Sequence, residues 1–138
     1  MKLTQLIYVS DLVDADESAL AAILESAVRH NRQNGITGML LYAEGSLIQV
    51  LEGEEDAVQE TYGRICQDPR HGHITCLQQE AVAERHFSQW SMGYRRLRAE
   101  DLERLPKLAP HFKFGPGAKS FDVSPGDALD MLLLFSKH

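Results

Sequence analysis

What this chain has little of narrows its function first. Cysteine is scarce: Cys66 and Cys76 are the only two, and they form neither a CxxC pair nor a metal-ligand spacing, so they read as packing residues in a reducing compartment. His30, His71, His73 and His86 are scattered and do not fall at the spacings of a metal site. No apolar run approaches the roughly 18 residues that a membrane-spanning helix needs. The N-terminal segment is apolar but short, has no small-residue cleavage signature and carries Gln5 and Tyr8 in a strand-like pattern, so it reads as structure and not as an address. The expected setting is soluble and cytoplasmic. Cations are outnumbered, with 14 Lys and Arg against 20 Asp and Glu for a net charge of −6, which argues against nucleic acid or an anionic membrane as the main partner. A Ser-His-Asp order, a P-loop, a zinc spacing and GxGxxG are all missing. At 138 residues with 43% hydrophobic content, there is material for one core and no room for a second, catalytic domain.

What is present is an alternation of strands and helices. Leu3 to Val9, ending at Ser10 and Asp11, predicts a first strand. Asp14 and Asp16 offer N-caps to a helix whose apolar residues Leu20, Ile23, Leu24, Ala27 and Val28 follow a 3.6-residue stripe, ending near Asn34 and Gly35, a pair suited to a left-handed C-cap. Ile36 to Tyr42 and Leu47 to Leu51 are apolar runs separated by Ala43, Glu44, Gly45 and Ser46, which predicts a β-hairpin. Glu54, Glu55 and Asp56 favour the start of a second helix, Val58, Tyr62 and Ile65 face inward, and Asp68–Pro69 ends it. Ile74 to Val82 and Trp90 to Arg96 predict two further strands. The order βαββαββ is that of an α+β, ferredoxin-like mixed sheet with two helices on one face. Leu47 and Leu51 lie on one side of the hairpin strand and Ile48 and Val50 on the other, so the second face needs a cover too. A C-terminal helical cap supplies it: Ser124, Pro125 and Asp127 give the start signals, followed by Leu129, Met131, Leu132, Leu133 and Leu134. Residues 97–123 read as a linking arm.

Three polar residues stand where apolar ones are expected. Asn31 extends the stripe of Ile23 and Ala27, and reads either as a cap of the helix end or as a ligand contact. Gln49 is flanked at i±2 by Leu47 and Leu51, so it points into their buried layer. An amide left unbonded there costs about 1–3 kcal/mol, so it pairs with a neighbour or with a ligand. Tyr8 reads as a core aromatic or as a phenol donor. The topology sets the first strand beside the hairpin's second strand under the helices, where one phenol and two carboxamides can converge. That set suits an imide-like ring edge with alternating C=O and N–H groups, and suits acid–base catalysis poorly.

The run from Arg29 to Tyr42, containing His30-Asn31-Arg32-Gln33-Asn34-Gly35-Ile36-Thr37-Gly38, followed by Gln49-Val50-Leu51-Glu52-Gly53, resembles the flavin-binding heart of the BLUF family. The Tyr8 strand, the run from Tyr62 to His71, and Trp90-Ser91-Met92-Gly93 agree with it in spacing. The resemblance covers residues 1–96, which it implies form the flavin-binding domain, leaving 97–138 as arm and capping helix. It implies a blue-light photoreceptor holding FAD non-covalently, not an enzyme. Tyr8 would give an electron and a proton to excited flavin, and Gln49 would bridge it to the ring and store the change in its hydrogen bonds. Asn31 would hold the pyrimidine edge, Ile23 and Ile65 would wall the ring, and Arg70 and His71 would lie toward the phosphate-bearing tail. Trp90 and Met92, on the last strand, would exchange packing when light rearranges Gln49, although Trp90 reads equally well as a core aromatic. Two residues depart from the common pattern: His30 stands where many members have a second asparagine, and Leu47 where a phenylalanine is common. With no output domain after residue 138, the signal is expected to leave by protein contact, in a homo-oligomer or with a separate effector in trans, with no nucleic acid and no membrane involved.

Other readings compete. A ferredoxin-like fold also serves small hydrolases of the acylphosphatase kind, with Arg29, Asn31 and Arg70 on phosphate, but this leaves Tyr8 and Gln49 unexplained. An RNA-binding sheet would need an exposed aromatic pair with basic flanks. A light-insensitive adaptor would keep the fold without the flavin.

Overall fold

The computed structural model describes residues 2–12, 17–43, 45–88, 92–96 and 125–136. In chain order the elements are β1 (Leu3–Leu12), α1 (Glu17–Asn34), β2 (Thr37–Ala43), β3 (Ser46–Glu54), α2 (Glu55–Gln67), β4 (His71–Val82), β5 (Gly93–Arg96) and α3 (Pro125–Ser136). The five strands form one sheet in the order β4-β1-β3-β2-β5. The first four are antiparallel to their neighbours and β5 joins β2 in parallel. This is the expected ferredoxin-like α+β arrangement with a strand added at one edge.

β1 and β3 take the centre because both of their alternating faces are apolar. On one face Leu6, Tyr8, Leu40, Leu47 and Leu51 meet Leu20 and Ile23 of α1 and Val58 of α2. On the other, Ile7, Val9, Met39, Leu41, Ile48 and Val50 meet Phe87 and, from α3, Ala128 and Leu132. The second cover demanded by Ile48 and Val50 is therefore α3, as the sequence predicts. Leu132 is fully buried, which contributes about 1.5–3 kcal/mol, while Leu129 and Leu133 are partly buried against the same cluster. The side chains of Met131 and Leu134 lie outside the described residues.

The ends of elements differ from expectation in ways that matter for the site. β1 runs past Val9 to Leu12 because its polar residues find partners: Ser10 pairs in register with Leu47, and Asp11 accepts a 2.9 Å bond from the Ser46 hydroxyl. β4 begins at His71 instead of Ile74. β5 begins at Gly93, so Met92 precedes the last strand instead of lying on it. α1 ends as expected, with Gly35 at φ 68° and the Ile36 N–H donating back to the Asn31 carbonyl at 3.0 Å, the bond that closes a helix through a left-handed residue. Both cysteines are free and exposed, Cys66 near the end of α2 and Cys76 on edge strand β4, so the packing role expected of them is corrected. The proposed caps Asp14, Asp16 and Ser124, the arm 97–123, and Trp90 lie outside the described residues. No helix among the described residues is long and apolar enough to cross a membrane.

Candidate functional site

The register of β1 and β3 sets Tyr8 directly opposite Gln49, and both side chains face the two helices. Each is buried. The Tyr8 hydroxyl donates to Gln49 Oε1, and Gln49 Nε2 donates to the Met92 sulfur at 3.2 Å. The amide thus uses its acceptor on one strand and a donor on the approach to another. Burial, with Tyr62 nearby, pushes the Tyr8 phenol well above its usual range, so it stays a neutral donor. Tyr62 of α2 packs on the Tyr8 ring with centroids 5.5 Å apart, and His71 meets it edge-on at 6.3 Å. Gly38 makes room for this arrangement: a Cβ there would sit 2.0 Å from the Val50 carbonyl oxygen and 3.4 Å from the Met92 methyl.

Above Gln49 a cleft opens between α1 and α2. Ile23 and Ala27 form one wall and Ile65 the other, with Gln49 and Leu51 as its floor. Asn31, His30, Thr61 and Arg64 contribute polar groups from the two helices, Asp68 and Arg70 contribute them from the α2–β4 connection, and His71 from the start of β4. The sequence candidates Ile23, Asn31, Gln49, Ile65, Arg70 and His71 therefore line one cleft, and Tyr8 lies hydrogen-bonded to its floor. Asn31 is only 1% exposed. Its place follows from the stripe that also positions Ile23 and Ala27.

His71 reaches the cleft through an irregularity. Between Val9 and Asp11, two steps along β1 correspond to three along β4, and His73 in that interval adopts φ 50°, a β-bulge. The extra residue reverses the alternation, so that His71 faces the helices along with Cys76, the partner of Tyr8. His71 Nδ1 lies 2.9 Å from the Ser10 hydroxyl, and burial, only partly opposed by Asp68, lowers its pKa below 6.5. Arg70 forks onto Asp68 through Nε at 3.0 Å and Nη2 at 2.6 Å, and this pairing holds the Asp68 carboxyl below its usual range. The guanidinium is thereby oriented at the cleft's rim.

His30, the departure from the common pattern, bridges the helices. Its Nε2 lies 3.0 Å from the Thr61 hydroxyl, and its Nδ1 meets Arg64. Burial first, then the Arg64 charge, lowers its pKa from 6.5, so near neutral pH it is a neutral imidazole. Sequence reasoning missed Thr61, Arg64 and Ser10. Thr61 stands one turn before Ile65 and so shares its face, a signal that was available. Ser10 was masked by its role as an apparent strand end.

Chemically this is an apolar slot with carboxamides on its floor and side and an imidazole and guanidinium at its rim. A planar heteroaromatic with C=O and N–H groups on one edge fits that donor set. Hydrolysis does not: Ser10 and His71 form a hydroxyl–imidazole pair, but Ser10 is fully buried and does not line the cleft. Among the described residues no group of three or more His, Cys, Asp or Glu could hold a metal ion.

Comparison with known proteins agrees with this chemistry. The family model for sensors of blue light using FAD matches residues 3–93. The photoactivated adenylate cyclase subunit beta of Euglena gracilis is 41% identical over 92 residues, covering 65% of this chain and 11% of that protein. The blue light- and temperature-regulated antirepressor BluF of Escherichia coli (strain K12) is 32% identical over 126 residues, covering 91% of this chain and 30% of that protein. The chain thus spans well under half the length of either relative. The dark-state structure of BlrB, a BLUF protein, superposes with a TM-score of 0.77 at 29% identity, over 96% of this chain and 93% of that one. The chain belongs to the BLUF family, and it is a blue-light photoreceptor that uses FAD.

Proposed function

We propose that the light response of this photoreceptor runs through Tyr8 and Gln49, with FAD seated in the cleft between α1 and α2. When bound, FAD supplies blue-light absorption and a ring that can take up and return an electron and a proton. The chain's own residues do the rest. Ile23 and Ile65 would exclude water from the two ring faces, Asn31 would meet the pyrimidine edge, and Arg70 with His71 would lie toward the phosphate-bearing tail. Tyr8, kept neutral by burial, is the donor. Gln49 is the element that rearranges, because its carbonyl and amide ends bond different partners: turning the amide would set Nε2 against the Tyr8 oxygen and release the Met92 sulfur, which can only accept. The observation that carries this reading is the continuous Tyr8–Gln49–Met92 hydrogen-bonded line beneath the cleft.

Residues 1–96 act as the sensing unit on this reading, and 97–138 as arm and cap. The signal passes to a second copy of the chain or to a separate effector in trans, in the cytoplasm, without nucleic acid or membrane. The names of relatives support the sensor–effector logic, since one is a cyclase subunit and another an antirepressor. Absorption spectra of the FAD-loaded protein before, during and after blue light test the reading. The wild type is expected to show a reversible shift of the flavin bands, and Tyr8→Phe and Gln49→Leu are expected to bind FAD and lose the shift. A normal photocycle in Gln49→Leu would overturn it.

A further inference from the structure

The sheet face opposite the cleft holds a carboxylate that the photochemistry does not use. Glu52 follows Ile48 and Val50 on the α3-facing side of β3 and is 0% exposed. Burying a carboxylate in such a place is costly unless its oxygens are bonded, and these are. Oε1 accepts the backbone N–H of His86 at 2.9 Å and of Phe87 at 2.7 Å, and Oε2 accepts Gln5 Nε2 at 2.9 Å. His86 Nδ1 lies 3.4 Å from Oε2. Gln5, also fully buried, is held in turn by Gln78 at 3.0 Å. Two successive amides of the connection between β4 and β5 thus close on one charge, the strong kind of hydrogen bond.

Arg85 fastens the same connection to the neighbouring strands. Nη1 donates to the Thr37 hydroxyl and to the Glu52 carbonyl, both at 2.9 Å, and Nη2 donates to the Gly35 carbonyl at 2.8 Å. The connection is therefore tied to β3 on both faces of the sheet. Residues 85–87 are tied through Glu52 on the α3 side, and Met92, at the far end, is tied through Gln49 on the cleft side. Phe87, 1% exposed, packs in the cluster that contains Ala128 and Leu132 of α3.

We infer that Glu52 and Arg85 are positioning residues of the light response: they fix the start of the β4–β5 connection on β2 and β3, so that a change in the Gln49–Met92 bond reaches Phe87 and α3 instead of being absorbed by a slack loop. The inference rests on the sensor reading above and adds a route and the residues that keep it taut. Without the latch, Met92 could follow Gln49 while Phe87 stayed still.

Hydrogen exchange followed by mass spectrometry on the full FAD-loaded chain, in the dark and under blue light, tests it in wild type, Glu52→Gln and Arg85→Ala. Glu52→Gln places an amide N–H₂ against groups that are already donors. Arg85→Ala removes a half-exposed side chain, so it tests the latch in a folded protein even if Glu52→Gln folds poorly. In the dark, the His86 and Phe87 amides are expected to be protected in wild type and to lose protection roughly tenfold or more in Glu52→Gln. Under light, wild type is expected to change exchange in residues 125–136, and both variants are expected to keep the full flavin shift but lose that change. A normal flavin shift with an unaltered α3 response in the folded variants would overturn the latch and leave the sensor reading intact. Absence of any flavin shift in wild type would overturn the sensor reading, and the latch with it.

Discussion

The two faces of the sheet are buried to a similar degree but built from different materials. Toward α1 and α2, the leucines are interrupted by Tyr8, Ser10, Gln49, Asn31, Thr61 and His71, all buried. Toward α3, the cluster of Ile7, Val9, Met39, Leu41, Ile48, Val50, Phe87, Ala128 and Leu132 is apolar. Among the described residues the buried polar groups of that face sit at its ends, Gln5 and Glu52 at one and Ser46, bonded to Asp11, at the other. Directional bonds can be exchanged by turning one amide, so the first face can hold two arrangements with little motion. Close-packed hydrocarbon has no such local alternatives and answers only by shifting side chains together. A sensor needs both kinds of material: one face to register a small chemical change, and the other to turn it into displacement.

That contrast can be broken from the apolar side first. Leu132→Ala should lower the unfolding free energy by about 2–5 kcal/mol in urea titrations, while leaving the dark flavin spectrum where it is. A displaced dark spectrum would mean that the faces are not separate. Gly38→Ala attacks the seam between them, because its Cβ would overlap the Val50 carbonyl and press on Met92. A loss of about 1–3 kcal/mol, accompanied by a changed flavin spectrum, is expected from denaturation and absorbance on the same sample. Asn31→Ala should weaken FAD binding roughly 3- to 10-fold, as read by flavin fluorescence titration.

The smallest effect is electrostatic. Burial holds the folded pKa of His71 below its ordinary 6.5, so as the pH falls the unfolded chain takes up the proton first. The stability due to the neutral imidazole is complete above about pH 6.5 and is lost as the pH falls from there through the lowered folded value, with a slope of at most about 1.4 kcal/mol per pH unit. Denaturation curves between pH 7.5 and about 5 should show this slope in wild type and a shallower one in His71→Asn.

Much of this was legible in the chain. Apolar residues on both alternations of β1 and β3 mark central strands, and the ferredoxin-like order makes those strands neighbours, so a tyrosine and a glutamine set among their leucines were bound to lie close together. The helix stripe likewise places Asn31 beside Ile23. What stayed hidden depends on pairing. β4 is an edge strand of mixed exposure, and an extra residue in it leaves no mark in the hydrophobic pattern, so neither its start at His71 nor the direction of that side chain could be read. The cysteines looked like core material because small apolar residues usually are, yet an edge strand and the flank of α2 leave them in solvent. Glu52 did carry a signal, since it continues the Ile48–Val50 alternation and so had to be buried. The backbone amides that bond it, those of His86 and Phe87 in the β4–β5 connection, have no sequence signature.

The bulge at His73 makes β4 behave like a text with a reading frame. Upstream of it the strand is read in one phase and at Thr75 and Cys76 in the other, so that His71 and Cys76 share a face only because the phase changes between them, and a second irregularity between Cys76 and Gln78 shifts it again. Straightening the strand at 72–75 with no residue removed would be a frameshift of side chains: Cys76 would remain next to Tyr8, but His71 would turn to the α3 side and Gly72 would come to face the cleft, whereas losing one residue there would leave His71 opposite Leu12. A local change of backbone at His73 that leaves composition, charge and hydrophobicity untouched would thus exchange an imidazole at the cleft's rim for a glycine. When members of such a family are aligned, the spacing of this strand is as informative as its letters.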